Sequence, residues 1–253
     1  MANKQNEIEF LAEISIIGRL NHMNLIETWG YCAEGPHRLI VYQYMENGSL
    51  AEKLRDGNLD WDTIFDIAKG TAKGLAYLHE ECLEWVLHCD VKPYNILLDG
   101  NYNPKVADFG LSKLLDRGDI KKSRFSTIRG TRGYMAPEWV FKLPITSKVD
   151  VYSYGVVDLE MITGRGSGGK KQWTGENGEI ERGVVQWVRD GGNGSGLESW
   201  VDNVVSGSIR GEFERETMGN LVGIALQCVK DDMQVRPTMN QVVNMLLHLE
   251  NDG

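Results

Sequence analysis

Apolar residues recur at steps of three or four through Phe10, Leu11, Ile14, Ile17 and Leu20, a spacing that predicts an amphipathic helix entered near Asn6. Glu13 lies inside that apolar stretch. Two short apolar runs follow, 25–31 and 39–44, separated by the turn-forming Glu34-Gly35-Pro36, and together they predict a hairpin. The chain turns again at Glu46-Asn47-Gly48-Ser49. From Trp61 the apolar positions run Ile64, Ala68, Thr71, Leu75 and Leu78, alternating three and four, which predicts a long core helix with Asp60 as its N-cap.

Between Val86 and Ala107 the pattern changes to short β-type runs, 86–87, 96–98 and 106–107, broken by Pro93 and by Asp99-Gly100. Residues 147–163 are helical in pattern but apolar on most sides, as a helix surrounded by other elements must be. Asp158 is the anomaly within it. The stretch 164–196 is rich in Gly, Asn, Lys and Glu around one apolar island, 184–188, and reads as loops with a small helix. Two helices close the chain, one over 218–229 and one opened by Pro237 that carries Met239, Val242, Val243, Leu246 and Leu249.

Composition narrows the function classes. With 253 residues, 42% of them hydrophobic and 25% charged, the chain can bury a substantial core and is not of disordered or fibrous type. Its 27 basic and 36 acidic residues leave a net charge of −9, which disfavours binding to nucleic acid. The charge-free stretch 220–229 is half the length a membrane span needs, and the opening residues carry no signal-peptide core, so no direct membrane contact is expected. Cys32, Cys82, Cys89 and Cys228 lack a paired framework and read as free thiols of a reducing compartment.

Three strings carry the chemistry, in order: His88-Cys89-Asp90-Val91-Lys92-Pro93-Tyr94-Asn95, Asp108-Phe109-Gly110 and Ala136-Pro137-Glu138. In this order, with a short hairpin between the first two, they resemble the catalytic loop, metal-binding motif and closing motif of protein kinases. The resemblance covers essentially the whole chain. It implies the α+β two-lobed kinase fold, with a partial small lobe over 1–45 and a complete, mostly helical large lobe over 46–253.

It also implies roles. Asp90 is expected to orient the acceptor hydroxyl, and Lys92 to reach the transferring phosphoryl group of ATP. Asn95 and Asp108 are expected to supply oxygen ligands to Mg²⁺, with Mn²⁺ as the alternative ion. Lys92 and the segment containing Thr131 resemble serine/threonine kinases, so Ser or Thr hydroxyls of protein substrates are the expected acceptors. Glu13 matches the glutamate that pairs with an ATP-anchoring lysine. Ile17, His88 and Phe109 match a stacked apolar spine. Tyr42 falls at the gatekeeper position, Gln43, Tyr44 and Met45 at the adenine-binding hinge, and Leu97 beneath the adenine ring. Glu138 and Arg236 match a buried ion pair, and Asp150 a helix-borne carboxylate that accepts backbone N–H bonds from the catalytic loop. The wording of the strings is most similar to plant receptor-like kinases with lectin-type or S-domain ectodomains. That places the domain on the cytoplasmic side of the plasma membrane in a full-length receptor, with other receptor kinases as partners, and in the cytoplasm if the chain exists alone.

Four departures stand out. A glycine-rich phosphate loop and a strand lysine are expected before the glutamate-bearing helix, and only Lys4 is basic ahead of Glu13, so the sequence reads as an N-terminally truncated domain. Cys89 stands where most kinases carry arginine, so a phosphate on the activation segment is not expected to act through that contact. Tyr94 replaces the usual glutamate. Asp158 replaces an apolar residue, and an unpaired buried carboxyl there destabilises the fold or is protonated.

Competing readings fail on context. Residues 164–170 satisfy a glycine-rich nucleotide pattern, but a helix precedes them and Lys171 follows, so they read as a connector. His79, Cys82, His88 and Cys89 fit no standard zinc spacing. The seven tryptophans read as packing residues, and Lys121-Lys122-Ser123-Arg124 as a solvated loop near the phosphorylatable Ser123, Ser126, Thr127 and Thr131. A kinase-like fragment or pseudokinase that binds partners without turnover is the alternative.

Overall fold

The computed structural model describes residues 2–57, 59–83, 85–115, 130–141, 143–164, 183–189 and 212–251. The expected basic cluster at 121–124, the serines and threonine at 123–127 and most of the 164–196 connector lie outside the described residues.

Helix α1, Ala2–Ile17, starts earlier than the pattern predicts and stops before Leu20. Its buried stripe is Phe10, Ile16 and Ile17, whereas Leu11 and Ile8 face outward. Leu11 stands one residue, or about 100° of helical rotation, off the Phe10–Ile17 line, so the loose three-and-four spacing did not define the buried face. Strands β1, Thr28–Cys32, and β2, Leu39–Tyr42, form the predicted antiparallel hairpin, with Thr28 opposite Tyr42 and Cys32 opposite Leu39. The strand starts three residues later than the apolar run because Leu25 bridges to Val106 instead. Trp29 on β1 is exposed, unlike Trp139, so not every tryptophan packs inside.

A short helix that apolar spacing does not announce follows the hairpin: α2, Leu50–Asp56. Its signal is chemical. Ser49 and Glu52 form a reciprocal capping box, the Ser49 hydroxyl accepting from the Glu52 N–H while the Glu52 carboxylate accepts from the Ser49 N–H. Helix α3, Trp61–Ala76, starts as predicted at Asp60, whose side chain accepts from Thr63 N–H at 2.8 Å. Gly70 and Gly74 let the chain at Asn24 and Pro104 approach the helix: a Cβ on Gly74 would stand 2.8 Å from the Asn24 carbonyl oxygen. One turn of π-helix, Tyr77–Glu81, extends α3.

Short strands then build the platform of the site. Strand β3, Trp85–Leu87, leads into the catalytic string and pairs with β6, Lys113–Leu115; β4, Ile96–Leu98, and β5, Pro104–Val106, form the predicted hairpin between the first two motifs. Helix α4, Pro137–Val140, is a single turn. Helix α5, Lys148–Thr163, is buried along almost its whole length, as its sequence predicts. It packs against α3, against α6, Val184–Arg189, and most extensively against α7, Glu212–Cys228. The closing helix α8, Met239–Asn251, packs on α3 and α7. Pro237 does not open it: Thr238 caps it, exchanging hydrogen bonds with Gln241, one turn in. The four cysteines are free, and no helix among the described residues is long and apolar enough to cross a membrane.

Candidate active site

The string from His88 to Asn95 is held first through its backbone. Asp150, fully buried near the start of α5, accepts from His88 N–H and Cys89 N–H at 2.8 Å each and pairs with His79 Nε2 at 2.9 Å. Burial acts to raise this carboxyl; the bond and charge of His79 and the Cys89 amide outweigh it and hold the group below its usual range. The grip has a conformational use, because Cys89 sits at φ 67°, a region that costs a side-chain-bearing residue energy. The His88 ring is oriented at both nitrogens. Nδ1 accepts from Asp90 N–H, so Nε2 carries the proton and donates to the Ala107 carbonyl at 3.0 Å.

Asp90 is the centre of the cluster. Its Oδ2 accepts from Lys92 Nζ at 2.6 Å and Asn95 Nδ2 at 3.2 Å, and its Oδ1 from the Thr131 hydroxyl at 2.7 Å and the Thr131 N–H at 3.1 Å. Lys92 Nζ also donates to Thr131 Oγ1 at 3.0 Å. Asp90, Lys92 and Thr131, from two distant segments, thus form a closed triangle around one carboxylate.

Asn95 uses its amide N–H bonds on Asp90, which leaves its side-chain carbonyl oxygen as a donor atom. Asp108 belongs at the same end of the β4–β5 hairpin, since Ile96 pairs with Val106 and Ala107 N–H donates to the Asn95 carbonyl at 2.8 Å. The residue is exposed, at φ 67°, and among the described residues its carboxylate takes a long 3.4 Å bond from Gly110 N–H. One amide oxygen and one exposed carboxylate are hard donors of the kind a small divalent cation takes. Beside them Phe109 is fully buried, its ring 5.2 Å from that of His88.

Glu13 reaches this point from α1. Its Oε1 accepts from Phe109 N–H at 3.3 Å and from the Tyr42 hydroxyl. Burial raises the Glu13 carboxyl above its usual range against the pull of those two bonds, and burial together with the Glu13 contact pushes the Tyr42 phenol up. Among the described residues no lysine or arginine pairs with Glu13, whose bonds go to Tyr42 and Phe109. Replacing Tyr42 with phenylalanine is expected to lower stability by about 1–3 kcal/mol, because a half-buried carboxyl loses a bond to it. Urea unfolding of Tyr42→Phe checks this; an unchanged midpoint counts against the contact.

After Tyr42 the hinge segment runs through half-buried Gln43, exposed Tyr44 and buried Met45. Its internal bonds use Gln43 N–H, which donates to Glu27, and the Met45 carbonyl, which accepts from Gly48. Neither the Gln43 carbonyl nor the Met45 N–H is used by these bonds. Leu97, half-buried on β4, packs against the core, and Ser49 bridges to it across the start of α2.

The segment after Thr131 is anchored to α5. Ser153 Oγ donates to the Tyr134 carbonyl at 2.7 Å, and the Tyr134 hydroxyl donates to Glu160 Oε2 at 2.6 Å. Glu138 then forms a bidentate pair with Arg236 at 2.7 and 2.8 Å, both residues buried. A small cavity under this segment is lined by Cys89, Asp90, Thr131, Tyr134, Trp139 and Ser153. The Cys89 thiol in it is pushed far up by burial and by Asp150, so it is inert rather than a nucleophile.

His79, Ser153 and Glu160 belong to this framework and were not singled out by motif. The ring of His79, a residue that fits no zinc spacing with Cys82, His88 and Cys89, goes to Asp150; its signal in the sequence is a polar residue in the apolar run closing α3. Among the described residues no cluster of His, Cys, Asp and Glu is arranged for a metal.

A catalytic-type loop clamped on a buried helix, beside a hairpin ending in an exposed carboxylate, defines a class of protein, and comparison with known families agrees: residues 1–247 match the protein kinase domain model, and the chain belongs to that family. It is 49% identical over 98% of its length to the receptor protein kinase ZmPK1 of Zea mays. It is 45% and 44% identical to two G-type lectin S-receptor-like serine/threonine-protein kinases of Arabidopsis thaliana, SD2-5 and SD2-2, over 96% and 95% of its length. The chain spans only 31%, 29% and 30% of the length of these relatives.

Proposed function

We propose that this domain transfers the γ-phosphate of ATP to serine or threonine hydroxyls of protein substrates. The observation that carries the reading is the Asp90–Lys92–Thr131 triangle, because it puts a carboxylate, a fixed cation and a hydroxyl-bearing segment at one point. In this reading Asp90 orients the acceptor hydroxyl and takes its hydrogen bond, and Lys92 faces the transferring phosphoryl group as a point charge. Asn95 and Asp108 hold Mg²⁺, which when bound neutralises phosphate charge. Gln43, Tyr44 and Met45 receive the adenine through their backbone above Leu97, while Glu13, His88 and Phe109 keep the small-lobe helix and the metal-binding string in register. Residues 1–45 form the small-lobe part and 46–253 the large lobe. The names of the relatives support a place on the cytoplasmic side of the plasma membrane within a receptor, with protein substrates and other receptor kinases as partners.

The test is transfer of label from γ-labelled ATP with Mg²⁺, followed by phosphoamino-acid analysis, for the wild-type chain beside Asp90→Asn. Label on serine and threonine that the substitution abolishes supports the reading; equal label in both overturns it. One observation favours a second reading, a non-catalytic interaction module: among the described residues Glu13 is held by Tyr42 and Phe109 rather than by a cation. Partner binding unaffected by Asp90→Asn, without any label transfer, is its signature.

A further inference from the structure

Helix α5 is the beam from which the site hangs. Asp150 holds the catalytic loop, while Ser153 and Glu160 hold Tyr134. In the same helix Asp158 is completely buried, and among the described residues neither of its carboxyl oxygens has a hydrogen-bond partner. Nothing in the phosphate-transfer chemistry uses it. A buried polar group without partners is costly, and costlier still when charged.

The surroundings offer little relief. One turn back, Gly155 brings α5 so close to α7 that a Cβ would stand 2.6 Å from Cys228 Cβ and 2.9 Å from the Ala225 carbonyl oxygen. On the α3 side Tyr154 is near enough to favour the carboxylate slightly, but it donates to the Ala68 carbonyl at 3.2 Å, so burial prevails and the Asp158 carboxyl lies far above its ordinary range. Thr71, about one turn along α3 from Ala68, also carries a buried hydroxyl without a partner. The titratable groups that feel Asp158 are Tyr154 on its own helix and Cys228 on α7, both pushed up by burial and by this carboxyl. Among the described residues no cation pairs with Asp158: Lys69 on α3 is committed to Asp66 and Glu250, Arg189 on α6 to Asp231 and the Val229 carbonyl, and Lys148 and Arg236, whose charges reach Cys228, to the Arg236 carbonyl and to Glu138.

We propose that Asp158 is a proton-operated lock on α5. With the carboxyl protonated, the helix is seated between α3 and α7 and its grip on the catalytic loop is made; when the proton leaves to solvent, the helix is unseated and that grip loosens. The sign follows from linkage. Below the ordinary aspartate value, about 3.9, folded and unfolded chains are both protonated and the group adds no pH dependence. Above it the unfolded chain ionises while the folded chain stays protonated, so stability falls as pH rises, until the folded group itself ionises.

Urea unfolding between pH 5 and 8, with Asp158→Asn and Asp158→Leu beside the wild type, reads this directly. The folding constant of the wild type is expected to fall about tenfold per pH unit relative to either variant. A wild-type-to-variant ratio independent of pH overturns the lock, and the two variants guard against one that misfolds for steric reasons. Two buried thiols report where the opening goes: Cys228 on the α5–α7 contact, and Cys89, whose N–H is held by Asp150. Iodoacetamide labelling located by mass spectrometry is expected to rise with pH at both in the wild type, beyond the rise seen in Asp158→Leu. Labelling of Cys228 without Cys89 overturns the link to the site.

Discussion

Arg236→Met is expected to destabilise the domain by about 3–5 kcal/mol, because it strands the carboxylate of Glu138 in a buried site. Arg236 is 2% exposed, and its guanidinium has almost no unused capacity. Two N–H groups pair with Glu138; others donate to the Lys148, Lys230 and Asp231 carbonyls at 2.8, 2.6 and 3.1 Å; and the plane lies 5.0 Å from the Tyr152 ring centroid. Lysine cannot reproduce this fork, so Arg236→Lys should recover only part of the loss. The anion left behind makes the single substitution severe, and the double variant Glu138→Leu/Arg236→Met should therefore be less unstable than the sum of its parts. Denaturant unfolding of all the variants measures this. Additive losses would mean that the pair is not the source of the effect.

The consequence reaches the site by a short route. Glu138 opens α4, a few residues beyond Thr131, and Arg236 lies between the turn Met233–Val235 and α8, so the pair fastens the end of the Thr131 segment to the helical body. When it is cut, the Thr131 hydroxyl should be held on Asp90 less firmly even in molecules that remain folded. Label transfer is expected to drop more than the folded fraction does.

How much of this was legible in the sequence varies with the kind of interaction. Asp90, Lys92, Asn95 and Asp108 were legible because short, ordered strings encode them, and Glu138 with Arg236 because a motif resemblance carried a pair separated by 98 positions. The closed contact of Thr131 with Asp90 and Lys92 was expected from the same source. The apolar pattern served well for α3 and α5, whose burial is extensive, and poorly for α1, whose fully buried residues among those described are Phe10, Ile16 and Ile17. Helix α2 is too short for periodicity to register, and its Ser49/Glu52 cap was the readable sign. His79 was beyond reach for a different reason: its role depends on a π-turn that aims it at a residue 71 positions away, which no local pattern encodes. Asp158 was visible as a polar residue in an apolar helix, but whether it had a partner is a fact of three dimensions.

Asp150→Asn should give the largest loss of function for a substitution of nearly equal volume. The carboxylate accepts from two consecutive backbone N–H groups, one on each oxygen, and from His79. An asparagine offers one oxygen; its NH₂ turned toward the second amide sets donor against donor. Losing bonds to a buried charged group costs about 2–4 kcal/mol here, and the left-handed backbone at Cys89 loses the contact that holds it. A shift of the His88–Asp90 turn by an ångström is enough for about a hundredfold loss of phosphate transfer, without altered ATP affinity. The pH response identifies the cause. The folded-state carboxyl of Asp150 is depressed, so its stabilisation is complete above the unfolded value, near 3.9, and is lost as pH falls through the folded value. Acid unfolding below about pH 4 should therefore be shallower in Asp150→Asn than in the wild type. Asp158, eight residues along the same helix, has the opposite sign, destabilising the fold as pH rises. The wild-type profile contains both slopes, and only the single variants, compared with it at each pH, separate the aspartate that makes the site from the one that threatens it.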